Sequence, residues 1–225
     1  MSPAPGERTA TFAVIFDLDG VIVSTDAYHR QAWQRLAEEL GLPFTEAQAQ
    51  ATRGVDRMAS LAIVLGGAAA RFTAEEQTAL AARKNATYKE LIRGISARDL
   101  LPGVTALLDE LEAARVPCAI GSASRNADAV LRQMGIAARF NVIVTGHDFT
   151  RGKPAPDVFL AAARRLGMPP ERCVVFEDAA AGIAAAHAGG MKAVGVGDPV
   201  NVAAAERRIA DLSEIRYAEI AALMA

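Results

Sequence analysis

The regular alternation of helix and strand in the second half of the chain is the feature that most constrains its fold. From about residue 101 onward, four segments with apolar residues at helical spacing are each followed by a short, strongly apolar run. These runs are predicted strands, and they read VPCAIGS, FNVIVTG, RCVVFED and KAVGVG. Strands that alternate with helices in this way form βαβ units, so the sequence predicts an α/β fold with a parallel sheet.

The first part of the chain has one further predicted strand, residues 12–16, which read FAVIF. Helical patterns without any strand-like run follow it, at residues 27–40, 45–53, 60–65 and 73–94. We therefore predict a Rossmann-like core that contains the parallel sheet, with an inserted α-helical cap domain. The predicted boundaries are residues 1–24 and 97–225 for the core and residues 25–96 for the cap.

The charge balance and the apolar pattern restrict the partners of the chain. The 24 basic and 26 acidic residues give a net charge of −2, which does not favour a nucleic-acid or membrane surface. No uninterrupted apolar stretch approaches the ~18 residues of a membrane span, and the N-terminal residues lack the apolar region of a secretory signal. The two cysteines, Cys118 and Cys173, lie in apolar runs typical of buried thiols in a reducing compartment. We expect a cytoplasmic monomer that binds neither nucleic acid nor membrane.

Polar residues cluster at the predicted ends of the strands. In open α/β sheets, ligands bind at the carboxyl ends of the strands. The residues expected at this edge are two acidic pairs, one serine and one lysine, namely Asp17, Asp19, Ser122, Lys153, Glu177 and Asp178. Each has a simpler explanation alone, such as a helix cap for Ser122 or a helix N-terminal pair for Glu177 and Asp178. Because all six are expected at the same edge of the sheet, the pattern favours an active site.

The two aspartates at the end of the first strand indicate the chemistry. Asp17 and Asp19 are two residues apart and so point to the same side of an extended chain. Close carboxylates repel unless a proton or a cation lies between them. Together with Glu177 and Asp178 they form an all-oxygen set that suits Mg²⁺. We therefore predict phosphoryl transfer, with Asp17 as nucleophile and Asp19 as general acid and base.

Four motifs resemble those of the haloacid dehalogenase superfamily, in the order found there: FDLDG, IGSAS, RGKPAPDVF and VVFEDAAAGI. The resemblance covers nearly the whole chain and implies that superfamily's fold, a Rossmann-like core with a cap. It also implies that Asp17 is the nucleophile and Asp19 the acid and base, and that Ser122 and Lys153 are catalytic. The implied Mg²⁺ ligands are Asp17, Asp19, Glu177 and Asp178.

Four shorter stretches are similar to the hexose-phosphate mutase branch of the superfamily: TDAYHRQAW, RGVDRMASL, RKNATY and SASRN. This resemblance implies catalytic roles for Thr25 and His29. The implied substrate-binding residues come from the cap and from the loop after the second strand, and they are Trp33, Gly54, Arg57, Ser60, Lys84, Ala123, Ser124, Arg125 and Asn126. Three positions depart from the branch, because Ser24 replaces an aspartate, Asp26 is additional, and Asp56 replaces a serine.

The branch interconverts β-glucose 1-phosphate and β-glucose 6-phosphate. The resemblance therefore implies an isomerase with sugar phosphates as partners, Mg²⁺ as cofactor and β-glucose 1,6-bisphosphate as the activating intermediate. Two alternatives remain open from the sequence. The first is a sugar-phosphate phosphatase, in which water accepts the phosphoryl group. The second is a non-catalytic protein that binds phosphosugars on the same fold.

Overall fold

A computed structural model describes residues 11–53 and 55–225 of the chain. Its centre is one parallel sheet of six short strands, β1 Ala13–Phe16, β2 Cys118–Gly121, β3 Val142–Val144, β4 Cys173–Glu177, β5 Lys192–Val196 and β6 Arg207–Ile209. They lie side by side in the order β3-β2-β1-β4-β5-β6. The α/β fold with a parallel sheet predicted from the sequence is confirmed.

The central strand β1 shows why its sequence is apolar on both sides. Successive side chains of a strand point to opposite faces, and all four residues of β1 are buried. Val14 and Phe16 pack into one apolar cluster, whereas Ala13 and Ile15 pack into another. The sheet is therefore covered on both faces, as expected for parallel strands joined by helices.

Nine α-helices occur in the described residues, α1 Asp26–Glu39, α2 Glu46–Ala51, α3 Arg57–Leu65, α4 Ala74–Leu91, α5 Val104–Ala113, α6 Ala127–Gln133, α7 Asp157–Leu166, α8 Ala180–Ala188 and α9 Tyr217–Met224. Helices α1 to α4 lie between β1 and β2 in the chain. Helices α1, α3 and α4 share an apolar cluster of their own, which includes Trp33, Leu61 and Leu80. We retain the division into a core and a cap of residues 25–96 as a proposal.

Several predicted boundaries shift for identifiable reasons. Helix α3 begins at Arg57, before the predicted residue 60, because the Asp56 carboxylate caps it by accepting hydrogen bonds from the N–H groups of Met58 and Ala59. Helix α4 ends at Leu91 and continues as a 3₁₀ turn. Strand β6 and helix α9 were not predicted. Gly54 and the first ten residues of the predicted core lie outside the described residues.

In the described parts of the chain, no helix is long and apolar enough to cross a membrane. The two cysteines are free and buried, as predicted.

Candidate active site

A cavity of about 430 Å³ lies between the carboxyl edge of the sheet and helices α1 to α4. The core contributes Asp17 and Asp19 from the end of β1 and the loop of residues 123–126 after β2. Residues 25–96, called the helical segment, contribute the predicted substrate-binding residues Trp33, Arg57, Ser60 and Lys84, together with His29. The volume falls in the usual range for small-molecule sites. The fold therefore brings most of the predicted residues around one cavity.

Asp17 follows directly after β1, at the point where the ends of β1 and β4 are aligned. Its N–H donates to the Phe176 carbonyl of β4 at 2.9 Å, which sets the ends of the two strands level. The Lys153 ammonium donates to the carboxylate of Asp17 at 2.6 Å and to that of Glu177 at 2.5 Å. All three side chains are nearly or fully buried. Three groups from distant parts of the sequence thus form one ionic network.

Lys153 keeps its proton in this network. Burial alone would lower the pKa of its ammonium, but the carboxylates of Asp17 and Glu177 outweigh that effect and hold the pKa above its ordinary value. Both oxygens of Glu177 are engaged, since Oε1 accepts from Lys153 and Oε2 accepts from the N–H of Ala179 at 2.8 Å. In this arrangement Glu177 orients Lys153 towards Asp17.

Two glycines leave room for the acidic side chains. A Cβ atom at Gly20 would overlap the Asp178 carboxylate, and one at Gly182 in helix α8 would overlap Glu177. Gly20 also has a φ of 83°, which residues with a side chain adopt at a cost. The close approach of backbone to carboxylate explains glycine at both positions.

Asp19 is held by the residue that begins the helical segment. The Thr25 hydroxyl donates to its Oδ1. Burial and the neighbouring Asp17 carboxylate raise the pKa of Asp19 to about 7, against the opposing effect of the Thr25 hydrogen bond. A carboxyl group with this pKa carries a proton part of the time at neutral pH, which suits the predicted acid and base.

Lys84 and His29 meet on the helical side of the cavity. The Lys84 ammonium lies 2.8 Å from Nδ1 of His29 and 4.4 Å from the centre of the Trp33 ring. Burial and Arg57 lower the pKa of Lys84 to about 7. Burial and Lys84 also lower the pKa of His29 well below its usual value, so His29 is neutral and accepts the hydrogen bond.

Arg57 and Arg125 bring positive charge to the far end of the cavity. Burial and the nearby Arg125 lower the pKa of Arg57. The Nη2 of Arg57 donates to the Asn85 Oδ1 at 2.9 Å, and the same oxygen accepts from Nδ2 of Asn126 at 2.7 Å. Asn85 therefore joins the helical segment to the loop after β2. Positive groups held this close favour an anion between them.

The loop after β2 is shaped by its own serines. The N–H of Ser124 donates to the Ser122 hydroxyl at 3.0 Å, and the N–H of Asn126 donates to the Ser124 hydroxyl at 3.2 Å. Ser122 is buried and does not line the cavity, whereas Ala123 and Ser124 do. Ser60 also lines it, and its hydroxyl lies 3.5 Å from the Thr52 carbonyl.

The predicted metal ligands are close, but the set of four is not arranged around one point. In the part of the chain that the structure describes, no three His, Cys, Asp or Glu side chains are placed to hold a metal ion. Asp19 accepts from Thr25, and Glu177 is engaged with Lys153 and Ala179. The carboxylate of Asp178 instead accepts from Arg53 at 2.6 Å.

Asp17 and Asp178 are the two carboxylates whose chemistry best fits a magnesium ion. Asp17 and Asp178 are hard oxygen donors at the same edge of the sheet, and Mg²⁺ in phosphoryl-transfer sites is usually bound by one or two carboxylates, waters and substrate phosphate. Burial and the charges of Glu177 and Asp17 raise the pKa of Asp178 to about 8, although Arg53 opposes the shift. A cation next to this carboxylate relieves that repulsion.

The sequence did not point to Arg53, Asn85 or Tyr88. Tyr88 stacks on His29 with ring centres 4.1 Å apart, and its buried hydroxyl has no hydrogen-bond partner among the described residues. All three lie inside stretches that resemble the mutase branch, so the sequence did indicate the segments in which they occur. No spacing rule could show which partners across the cavity they would meet.

Comparisons with known proteins identify the family of the chain. Residues 13–190 match the haloacid dehalogenase-like hydrolases. The chain belongs to this family, and the resemblance stated from its motifs is confirmed.

Among individual proteins, the chain is 43% identical to the β-phosphoglucomutase of Bacillus subtilis over 187 residues, which cover 82% of this chain and 83% of that protein. The crystal structure of a β-phosphoglucomutase from Clostridium difficile superposes with a TM-score of 0.92, at 34% identity, over 96% of this chain and 97% of that one. A fructose-1-phosphate phosphatase of Escherichia coli is 35% identical over 189 residues, which cover 81% of this chain and 95% of that protein.

Proposed function

We propose that this chain is a phosphoglucomutase specific for the β-anomer, which interconverts β-glucose 1-phosphate and β-glucose 6-phosphate. β-Glucose 1,6-bisphosphate is the intermediate and Asp17 is the residue that carries the phosphoryl group. The similarity to the β-phosphoglucomutases of two organisms supports this activity. The cytoplasmic location and the monomeric state stay predictions from the sequence.

One observation carries the proposal, which is that the site has cationic groups in two separate places. Lys153 lies beside Asp17 at the sheet edge, and Arg57, Arg125 and Lys84 line the cavity. A bisphosphate that must bind in two orientations needs one reacting and one anchoring phosphate position. A phosphatase acting on small monophosphates needs only the first.

In the first half-reaction, phosphorylated Asp17 transfers its phosphoryl group to the 6-hydroxyl of β-glucose 1-phosphate. The bond from phosphorus to the Asp17 oxygen breaks while the bond to the sugar oxygen forms, and Asp19 takes the hydroxyl proton. Arg57 and Arg125 hold the 1-phosphate during this step. Lys153 stays on the reacting phosphoryl group and balances its charge.

In the second half-reaction the bisphosphate is bound in the reverse orientation. Asp17 attacks the phosphorus on the 1-oxygen, and Asp19 returns its proton to that oxygen as the bond breaks. The products are β-glucose 6-phosphate and phosphorylated Asp17, so the enzyme is ready for another cycle. The pKa of about 7 for Asp19 suits both directions of proton transfer.

Phosphotransferases of this family generally use Mg²⁺. Asp17 and Asp178 are the proposed carboxylate ligands, with Asp19 and Glu177 kept from the sequence prediction. When bound there, the ion would supply positive charge that offsets the negative charge of the phosphoryl oxygens.

A paired assay tests the proposal. Purified protein is incubated with Mg²⁺, β-glucose 1-phosphate and a trace of the 1,6-bisphosphate, and glucose 6-phosphate and free phosphate are measured in the same tube. The α-anomer is the control. We expect rapid formation of glucose 6-phosphate from the β-anomer with little free phosphate. Free phosphate without glucose 6-phosphate would contradict the proposal.

A sugar-phosphate phosphatase is the second candidate, since a relative named fructose-1-phosphate phosphatase, at 35% identity, is as similar in sequence as the mutase of known structure, at 34%. The reaction would use the same Asp17, Asp19 and Lys153, with water as the acceptor. Fructose 1-phosphate in the paired assay distinguishes the two, because a phosphatase would release phosphate from it steadily.

A further inference from the structure

Arg53 connects the helical segment to the core at the proposed metal site. It follows helix α2, and its guanidinium lies between two carboxylates. Its Nε is 2.9 Å from Oδ2 of Asp26, the first residue of α1, and its Nη2 is 2.6 Å from Oδ2 of Asp178, after β4. No role was predicted for Arg53 from the sequence, and Asp26 was noted only as a departure from the mutase branch.

This pair differs from an ordinary surface ion pair because one partner is buried. The Asp178 side chain is only 9% exposed and lies among the acidic groups Asp17 and Glu177. A buried carboxylate in such surroundings needs a cation or a proton. Lys153 supplies the positive charge for Asp17 and Glu177, and Arg53 supplies it for Asp178. By contrast, Arg30 pairs with Glu46 at the surface, with both side chains more than half exposed.

Mg²⁺ and the Arg53 guanidinium are both positively charged, and both would bind the carboxylate of Asp178, so they would compete for it. We propose that Arg53 is a positioning residue that substitutes for the metal charge at Asp178 and thereby ties the helical segment to the core. Binding of Mg²⁺ displaces the guanidinium from Asp178, and Asp26 keeps hold of it. In the substrate-free protein, docking of the helical segment and binding of Mg²⁺ therefore oppose each other.

The position of Asp26 supports this displacement. Asp26 lies in the helical segment beside Thr25, and its carboxylate is 39% exposed, so it binds the guanidinium without depending on the core. An arginine released from Asp178 therefore retains an ionic partner. Asp26, the additional carboxylate that distinguishes this chain from the mutase branch, would therefore hold the released guanidinium.

The test measures metal binding without substrate. The metal-free protein is titrated with MgCl₂ in a calorimeter, for the wild type and for Arg53→Gln, with Arg30→Gln as a control that removes the same charge at the surface. We expect Arg53→Gln to bind Mg²⁺ about 5- to 100-fold more tightly, the usual range of coupling between two sites. Arg30→Gln should stay close to the wild type. Arg53→Lys, which keeps a cation with fewer donors, should fall between wild type and Arg53→Gln.

Small-angle scattering measures the docking directly. We expect the radius of gyration of the wild type to increase when Mg²⁺ is added, and that of Arg53→Gln to be large already without it. Unchanged or weaker Mg²⁺ binding by Arg53→Gln would overturn the inference. An equal gain in Arg30→Gln, or no expansion of the wild type, would also overturn it.

The inference rests on the proposed function only in the choice of Mg²⁺. The binding and scattering measurements involve no sugar phosphate and no turnover. If the protein released free phosphate in the paired assay, the effect of Arg53→Gln on Mg²⁺ binding could still be measured, and it would be either present or absent. A failure of the proposed activity is therefore distinguishable from a failure of this inference.

Discussion

Asp19 is the residue whose chemistry depends most on its surroundings. Replacement by alanine is expected to lower kcat about 10²–10⁴-fold, the usual contribution of a general acid and base. The fold, measured by circular dichroism, should stay close to the wild type. Asp128→Ala, which removes an exposed aspartate from α6, is the control. Normal turnover by Asp19→Ala would refute the assignment.

The raised pKa also predicts a pH dependence. Phosphorylation of Asp17 by the bisphosphate requires the protonated form of Asp19, whose pKa is raised to about 7. The single-turnover rate of this step should therefore fall as the pH rises through about 7. A rate independent of pH between 6 and 8 would exclude Asp19 as the proton donor.

Lys84 destabilises the free protein at neutral pH. Its ammonium is buried, and its pKa is lowered to about 7 by burial and by Arg57. The unfolded chain keeps the proton up to its ordinary pKa, so stability is lowest below pH 7 and rises between about pH 7 and 10. Lys84→Met should therefore raise Tm at pH 7 by several degrees, since 1 kcal/mol corresponds to about 2–4 °C for a protein of this size.

Thermal unfolding at pH 6, 7 and 9 measures this effect. The gain in Tm from Lys84→Met should shrink towards pH 9, while KM for the sugar phosphate increases because a cation is lost from the cavity. Lys89→Met, at an exposed position of the same helix, is the control. A lower Tm in Lys84→Met would show that the buried ammonium stabilises the fold instead.

At the scale of elements, the close contact of helix α8 with strand β4 positions the catalytic lysine. A Cβ at Gly182 would overlap the Glu177 carboxylate, which holds Lys153. Gly182→Ala should therefore disturb Lys153 and lower kcat by at least about tenfold, as small misplacements of catalytic groups do. Helix propensity alone would make the same change favourable.

Gly67→Ala is a matched control, because nothing lies within 4 Å of a Cβ atom there. Circular dichroism and thermal unfolding show whether both variants are folded. If Gly182→Ala retained full kcat, Glu177 would have no part in orienting Lys153.

At the scale of the whole molecule, metal binding should stabilise the protein. A ligand that binds only the folded state adds about 2.7 kcal/mol at a concentration of 100 times its Kd. Saturating Mg²⁺ should therefore raise Tm by several degrees, and a chelator should remove both this gain and the activity. Asp178→Asn should respond weakly to Mg²⁺. An equal rise of Tm in Asp178→Asn would contradict its role as a ligand.

The sequence predicted the sheet and the helical insertion because both depend on local patterns. The run FAVIF, which contains strand β1, is apolar throughout and is followed by Asp17. Both the burial of the strand and the acidic residue at its end could therefore be predicted. Strand β6 was not predicted, since two of its three residues are exposed arginines and it has no apolar run. Its place in the sheet comes from pairing with β5, which is a tertiary contact.

The sequence predicted most residues of the candidate site, but not the contacts between them. The motifs indicated Lys153 and Glu177 separately, yet their ion pair depends on how two loops converge at the sheet edge. Asn85 and Arg53 form their bonds with residues 41 and 125 positions away. No periodicity in the sequence encodes such distances, so these two residues emerged only from the fold.

In the proposed reaction, Asp17 passes its phosphoryl group to a sugar in preference to water. The most direct measurement is a rapid-quench experiment with β-glucose 1,6-bisphosphate carrying labelled phosphate, followed by a chase with unlabelled β-glucose 1-phosphate. We expect label on the wild-type protein but not on Asp17→Asn, and transfer of that label to the sugar during the chase. Label that appears chiefly as free phosphate, or that binds equally to Asp17→Asn, would contradict the proposed reaction.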